Sequence, residues 1–211
     1  MTQIVFLSDT HCLHDNVDVP GGDILVHAGD GLNSGSEADF WRFSRWFNDL
    51  PHEHKIFVPG NHDGFFQTNL SLCRTAMPNA YILVDESITI EGIKFYGSPW
   101  TPTFFDWYWM QDEEDLPPYW DSIPDDTDIL VTHGPPAEIL DLSAELHSCG
   151  SPSLLVALLR VKPKIHVFGH IHEGWGEYED DDTLFLNVSI CTRSYKPTND
   201  PITVDWSERY G

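Results

Sequence analysis

Basic residues are scarce in this 211-residue chain: 11 Lys and Arg stand against 34 Asp and Glu, a formal net charge of −23. A surface so negative repels polyanions, which argues against a nucleic-acid polymer or an anionic membrane as partner. A small anionic substrate stays admissible, because a bound metal ion reverses the potential locally. Such an acid excess also occurs in salt-adapted proteins, and composition does not choose between the two. Cysteine is scarce as well. Cys12, Cys73, Cys149 and Cys191 are scattered with no C-x-x-C pair, which disfavours a disulfide framework and fits reduced thiols buried as small hydrophobes. No apolar run approaches the roughly 20 residues of a membrane span. Met1 runs almost directly into Ile4-Val5-Phe6-Leu7 with no basic n-region, long apolar stretch or cleavage site, so a cytoplasmic protein is expected.

What is present is a chain with 41% apolar and 13% aromatic residues, enough for one core. A single domain over residues 1–211 is expected, able to bury roughly 70% of the surface its unfolded state exposes. Runs rich in Val, Ile and Phe predict buried strands at Ile4 to Leu7, Ile24 to His27, Lys55 to Val58, Ile129 to Val131 and Ile165 to Phe168. A hairpin is predicted from Ser87 to Tyr96 about the Glu91-Gly92 turn. Leu184 to Val188 and Ile202 to Trp206 predict two further strands. Ser36 with Asp39 predicts a capped helix that Pro51 stops, and Ser151-Pro152 starts another. Together these elements predict a mixed α/β sandwich. The aromatic, proline-bearing segment from Gly97 to Asp126 reads as a long structureless stretch of functional or lid character, and Glu177 to Asp182 as a solvated acidic turn.

Five short motifs fall just after predicted strands: Asp9-Thr10-His11, Gly29-Asp30, Gly60-Asn61-His62-Asp63, Thr132-His133-Gly134 and Gly169-His170-Ile171-His172. Each alone is weak, since a lone histidine after a strand is usually a hydrogen-bonded structural residue. Jointly they offer carboxylates, imidazoles and an amide oxygen at the loop ends where α/β folds build their sites. Side chains at i and i+2 of an extended segment point the same way, so Asp9 with His11, and His170 with His172, are each expected to face one pocket. Such donors suit Mn, Fe, Zn, Ni or Co, and the donor count suits two ions sharing a bridge. The remaining histidines, His14, His27, His52, His54, His147 and His166, read as packing or surface residues. His27 alone is placed to stand behind the ligands.

The order D-x-H, G-D, G-N-H-D, H-G, G-H-x-H resembles that of the calcineurin-like metallophosphoesterases, over Asp9 to His172. The segments Gly97-Ser98-Pro99-Trp100-Thr101-Pro102, Thr132 to Pro136, Lys164 to Gly174 and Pro197 to Ile202 further resemble the metallophosphoesterase-domain-containing, brain-type class III cyclic nucleotide phosphodiesterase group. The resemblance implies a four-layer α/β/β/α sandwich carrying two divalent ions, with Mn favoured and Fe, Zn, Ni, Co or Mg admissible. It implies that Asp9, His11 and His172 hold the first ion, that Asp30 bridges, and that Asn61, His133 and His170 hold the second. His62 would protonate the leaving group, Asp63 would orient it, and Asn61 and His62 would also contact substrate. Some members of the group carry glycine at the position of His170, which weakens their second site; this chain keeps the histidine.

The expected activity is hydrolysis of small phosphodiesters of nucleotide type, cyclic nucleotides included, by a hydroxide bridging metals about 3.5–4 Å apart, with an imidazole as general acid. The alternatives are a phosphomonoesterase and a nucleotide-binding or interaction protein with vestigial activity. Trp100 is the expected base-stacking aromatic, and Arg193 a candidate phosphate contact with a surface ion pair as its alternative. Oligomeric state is left open by the sequence.

Overall fold

The central parallel strands of this chain are short and buried on both faces, which is why they appear as unbroken apolar runs rather than alternating ones. The computed structural model describes all residues from Met1 to Gly211. In chain order the elements are β1 (Gln3–Leu7), β2 (Ile24–His27), α1 (Glu37–Asp49), β3 (His54–Phe57), α2 (Gly64–Ala76), β4 (Tyr81–Ile82), β5 (Glu86–Ile90), β6 (Ile93–Ser98), β7 (Thr101–Pro102), β8 (Met110–Gln111), α3 (Pro117–Asp121), β9 (Ile129–Thr132), α4 (Pro152–Val161), β10 (Ile165–Phe168), β11 (Gly176–Glu179), β12 (Leu184–Asn187), β13 (Ile202–Asp205) and α5 (Trp206–Tyr210).

One sheet has the order β13-β1-β2-β3-β4 and the other β11-β12-β10-β9-β6-β5, with β7-β8 a separate ribbon. Neighbours within β1 to β4, and within β12, β10, β9 and β6, are parallel; the edge strands β13, β11 and β5 are antiparallel. Ile4, Phe6, Val26 and Ile56 of the first sheet meet Phe95, Val131, Val167 and Leu186 of the second in a shared core. Helices α1 and α2 cover the outer face of the first sheet through Phe40, Phe43, Phe47 and Phe66. Helices α3 and α4 cover the second through Trp120, Leu154, Leu158 and Val161. The layering is therefore α/β/β/α. No helix is long and apolar enough to cross a membrane.

Local signals act as their chemistry requires. The hydroxyl of Ser36 accepts the Asp39 N–H at the start of α1, and Ser151 accepts that of Leu154 at the start of α4. Glu91 and Gly92 both have positive φ, 51° and 81°, the conformation a two-residue hairpin turn between β5 and β6 demands. Three expectations need correction. The segment from Gly97 to Asp126 is not structureless: it holds the β7-β8 ribbon and α3, whose Trp120 is buried beneath α4. The acidic stretch begins as strand β11 and turns only after Glu179, where Asp180 Oδ1 accepts the N–H groups of Asp182 and Thr183. The last strand ends at Asp205, whose carboxylate accepts the Glu208 N–H and starts α5. Helix α2 escapes the apolar pattern because it is broken at Asn69 (φ −134°, ψ 34°).

Phe47 is fully buried and stacks on Phe43 at 5.4 Å between α1 and the first sheet. Phe47→Ala is expected to cost about 3–5 kcal/mol, read as a lower denaturant midpoint of the otherwise intact protein.

Candidate metal centre

All five motifs lie on loops that follow the carboxyl ends of β1, β2, β3, β9 and β10. The two sheets join at this end: Ser8 N–H donates to the Val188 carbonyl, and Ile190 N–H donates to that of Ser8. Asp9, His11, Asp30 and His170 all have positive φ, between 43° and 66°, a conformation rare outside glycine and concentrated at functional sites. Glycines of the motifs make room for the ligands. Gly29 has φ +97°, and a Cβ on it would lie 2.5 Å from His133 Nδ1. A Cβ on Gly169 would overlap Asp9 Oδ2 and Ser8 Oγ.

Asp9 is fully buried. Its Oδ2 accepts Ser8 Oγ–H (2.5 Å), Ser189 Oγ–H (2.9 Å) and His170 N–H (3.0 Å). Its Oδ1 has no hydrogen-bond partner; the polar atoms it faces are His172 Nε2 at 3.3 Å and His11 Nε2 at 3.7 Å. Those two nitrogens are 3.2 Å apart. Bonds of about 2.0–2.2 Å to one ion place neighbouring donors roughly 3–3.5 Å apart, so this bare oxygen and two imidazoles fit a metal site. Asp30 faces two ways. Its Oδ1 is 3.3 Å from His133 Nε2, and its Oδ2 is 3.8 Å from His11 Nε2 and 4.0 Å from His62 Nε2. His133, His170 and Asp30 form a second convergent donor group beside that of Asp9, His11 and His172. Asn61 Oδ1 joins it, 2.9 Å from His133 Nε2.

Backbone carbonyls fix which ring nitrogen faces inward. A carbonyl only accepts, so His133 Nδ1–H donates to Ala28 (2.9 Å), His172 Nδ1–H to Thr192 (3.1 Å) and His62 Nδ1–H to Asn33 (2.6 Å). Each neutral ring then presents an Nε2 lone pair to the centre. Burial works against charge here, and neighbours decide the outcome. Burial depresses His11 to about 4 and His170 to about 3. It opposes the charge of Asp9, Asp30 and His133 too, but the surrounding imidazoles hold both carboxyls below their usual range. The Asp30 carboxylate in turn lifts His133 to about 9.

Several sequence expectations are revised. Asp9 and His11 converge through left-handed turn residues and not through extended alternation. His170 and His172 both line the cleft and stand in different donor groups. Asp63 does not orient His62, which the Asn33 carbonyl does. Its carboxylate accepts the N–H groups of Asp30 (2.7 Å), Gly60 (2.7 Å) and Leu32 (2.9 Å), tying two motif loops together. Burial, with Asp30 nearby, raises Asp63 to about 7 despite those donors. Trp100 is outside the cleft: its indole N–H donates to Asp85 and its ring packs on Tyr119 and Trp109. Arg193 reaches the cleft while paired to Glu145 at 2.7 Å. His27 is buried with its Nε2 3.1 Å from the Oγ1 of Thr10, the residue between Asp9 and His11 in the chain.

The cleft over these donors has a volume of about 310 Å³. Its walls include aromatics that composition alone did not separate from their neighbours. Trp107 stacks on His62 at 4.2 Å, Phe104 stands 5.4 Å from His170, and Tyr195 packs edge-on against His11 at 4.8 Å. Phe105 is 70% exposed at the mouth. The Phe104-Phe105 pair followed by Trp107 was legible as an aromatic cluster, but its facing was not.

Residues 2–174 match the family model described as calcineurin-like phosphoesterase. The chain is 36% identical over 230 residues to metallophosphoesterase domain-containing protein 1 of Homo sapiens, across 97% of this chain and 71% of that protein, and the Mus musculus protein matches equally. A solved structure described as that of a novel archaeal phosphodiesterase superposes with a TM-score of 0.56 at 19% identity, covering 98% of this chain and 95% of the other. A further crystal structure superposes at 0.66 with 17% identity, covering 88% and 90%. Both share the fold.

Asp63→Asn keeps the shape but offers one acceptor oxygen where three N–H groups converge. Each N–H left unpaired costs about 1–3 kcal/mol. The variant is expected to unfold at lower denaturant and to bind divalent ions more weakly in a metal titration. Unchanged stability together with unchanged metal affinity would show that the loops are held elsewhere.

Proposed function

Because the chain belongs to the calcineurin-like phosphoesterase family, and is a metal-dependent phosphoric ester hydrolase, we propose that it hydrolyses small phosphodiesters of nucleotide type. The observation that carries this reading is the cleft itself: the donor group of Asp9, His11 and His172 lies beside that of Asp30, His133 and His170, with Asp30 Oδ2 3.8 Å from His11 Nε2, His62 lines the same cleft, and aromatic rings form its walls. Asp9, His11, Asp30 and His172 would hold one ion, and Asp30, Asn61, His133 and His170 the other. Mixed nitrogen and oxygen donors favour Mn or another borderline ion over Ca. When bound, the ions supply charge for the phosphoryl oxygens and lower the pKa of water.

The protein's own groups do the rest. His62 is pinned at Nδ1 by Asn33, so its protonated form directs Nε2–H into the cleft, where it can transfer the proton to the departing alkoxide. Trp107 covers the face of that ring and limits the water that could compete for the proton. Asn61 lines the cleft with its Oδ1 2.9 Å from His133 Nε2, and its amide N–H would donate to a phosphoryl oxygen. A formal charge of −23 supports a small substrate over a nucleic-acid polymer or a membrane. Four free cysteines support a reducing, cytoplasmic setting. A phosphomonoesterase is the second reading, since monoesters meet the same donors.

Two tests follow. Chelation is expected to abolish turnover and Mn to restore it better than Ca, measured on a panel of monoesters, linear diesters and cyclic nucleotides; full activity in metal-stripped protein overturns the mechanism. His62→Gln is expected to retain both ions by elemental analysis while turnover falls ~10²–10⁴-fold, with a smaller loss for substrates whose leaving group needs no proton. A fall in metal content would make His62 a ligand, a role its place within reach of His11 and Asp30 permits.

A further inference from the structure

Beside the metal cleft lies a second cavity of about 470 Å³, and the two share only Phe104 and His170. Neither His62 nor Trp107 borders this second space. The proton donor and the cavity therefore flank the metal centre on different sides: His62 lies beside Asp30 Oδ2, while the cavity begins at His170, in the donor group of Asp30 and His133.

The cavity's chemistry differs from that of the cleft. Pro102, Phe104, Pro152 and Ile171 give it apolar walls. Its one carboxylate, Glu113, accepts Ser151 Oγ–H (3.1 Å) and Ser153 N–H (2.8 Å) with Oε1, while its Oε2 has no hydrogen-bond partner. A largely apolar space of ligand size whose one carboxylate is Glu113 is suited to an uncharged organic group. An anionic phosphoryl oxygen gains nothing from entering it, since the charge it would meet there is negative.

We propose that this cavity binds the substituent that stays on phosphorus during hydrolysis, and that it selects diesters whose retained substituent is aromatic or otherwise apolar. The inference rests on the reading of His62 as the proton donor. In the reaction, the P–O bond to the leaving group breaks and a P–O bond to the water oxygen forms, one water proton staying on that oxygen and the other passing to solvent; the proton from His62 goes to the departing oxygen, and solvent returns a proton to His62. The leaving group then departs on the His62 side, and the ester group left on phosphorus extends past His170, with Phe104 against it. A monoester has no such group and leaves the cavity unused.

Cys149 lines the cavity and is partly exposed, whereas Cys12, Cys73 and Cys191 are buried. It thus offers a handle in the native, metal-loaded enzyme. The test holds the leaving group constant and varies only the retained one, using p-nitrophenyl phosphate, methyl p-nitrophenyl phosphate and bis(p-nitrophenyl) phosphate. The expected KM for the aryl diester is about tenfold or more below that for the methyl diester. Disulfide labelling of Cys149 with a benzyl thiosulfonate is expected to raise the aryl diester KM about tenfold, with kcat and both other substrates little changed, and reductant is expected to reverse it. Cys149→Ser should behave as the unlabelled enzyme and resist the reagent; Cys149→Phe should imitate the label. Diester hydrolysis that is indifferent both to the retained group and to the label overturns the cavity assignment alone. Hydrolysis of the monoester but of neither diester overturns the diester reading, and the cavity assignment with it.

Discussion

Three aspartates, Asp9, Asp30 and Asp63, are buried within one cluster of strand-end loops, and the cost of burying their charge governs how that end of the molecule is built. An unpaired carboxylate away from water is among the most expensive groups a fold can contain. Each is satisfied differently here. Asp63 takes three backbone N–H groups from the loops after β2 and β3. Asp9 takes donors on one oxygen only, two of them from the second sheet, and leaves the other bare. Asp30 divides its oxygens between two sets of imidazoles. The bare and divided oxygens are where cations belong, and the site follows from that incomplete satisfaction.

The same constraint couples the site to the fold. The donors to Asp9 come from Ser8, His170 and Ser189, so the carboxylate holds the two sheets together where Ser8 and Ser189 pair. A change in sheet packing would move the first donor group as a unit. Asp63 has the equivalent role within the first sheet, which is why it leads α2 without capping it: its carboxylate is committed to Asp30, Gly60 and Leu32. Around this polar floor the walls are divided by chemistry. Trp107 covers His62 at one end, and Phe104 opens toward an apolar space at the other. The proposed diester substrate, with one group to expel and one to keep, would present them to these two unlike flanks.

Much of the site was legible because metal affinity resides in side-chain identity, and strand ends are marked by where apolar runs stop. Asp9, His11, Asp30, Asn61, His133, His170 and His172 stand in short motifs that need no tertiary information to be noticed. Asp63 shows the limit of that reading. Its neighbour in sequence, His62, invites an orienting role, yet two of the three partners its carboxylate finds, Asp30 and Leu32, lie 33 and 31 residues away in the chain. Trp100 shows another. It and Trp107 share one aromatic segment, but the β7-β8 ribbon turns Trp107 onto His62, while Asp85 fixes Trp100 elsewhere.

What the sequence alone determined was the strand frame, the two capped helices α1 and α4, and the kinds of donor available, because propensity, capping and ligand chemistry are local properties of a few adjacent residues. What only the tertiary structure decided was how those donors are shared and aimed. Carbonyls of Ala28, Asn33 and Thr192 select the inward nitrogen of His133, His62 and His172, and left-handed turns in place of strand alternation bring Asp9 and His11 into one donor group. Such choices rest on contacts between segments up to 105 residues apart, which no local pattern encodes.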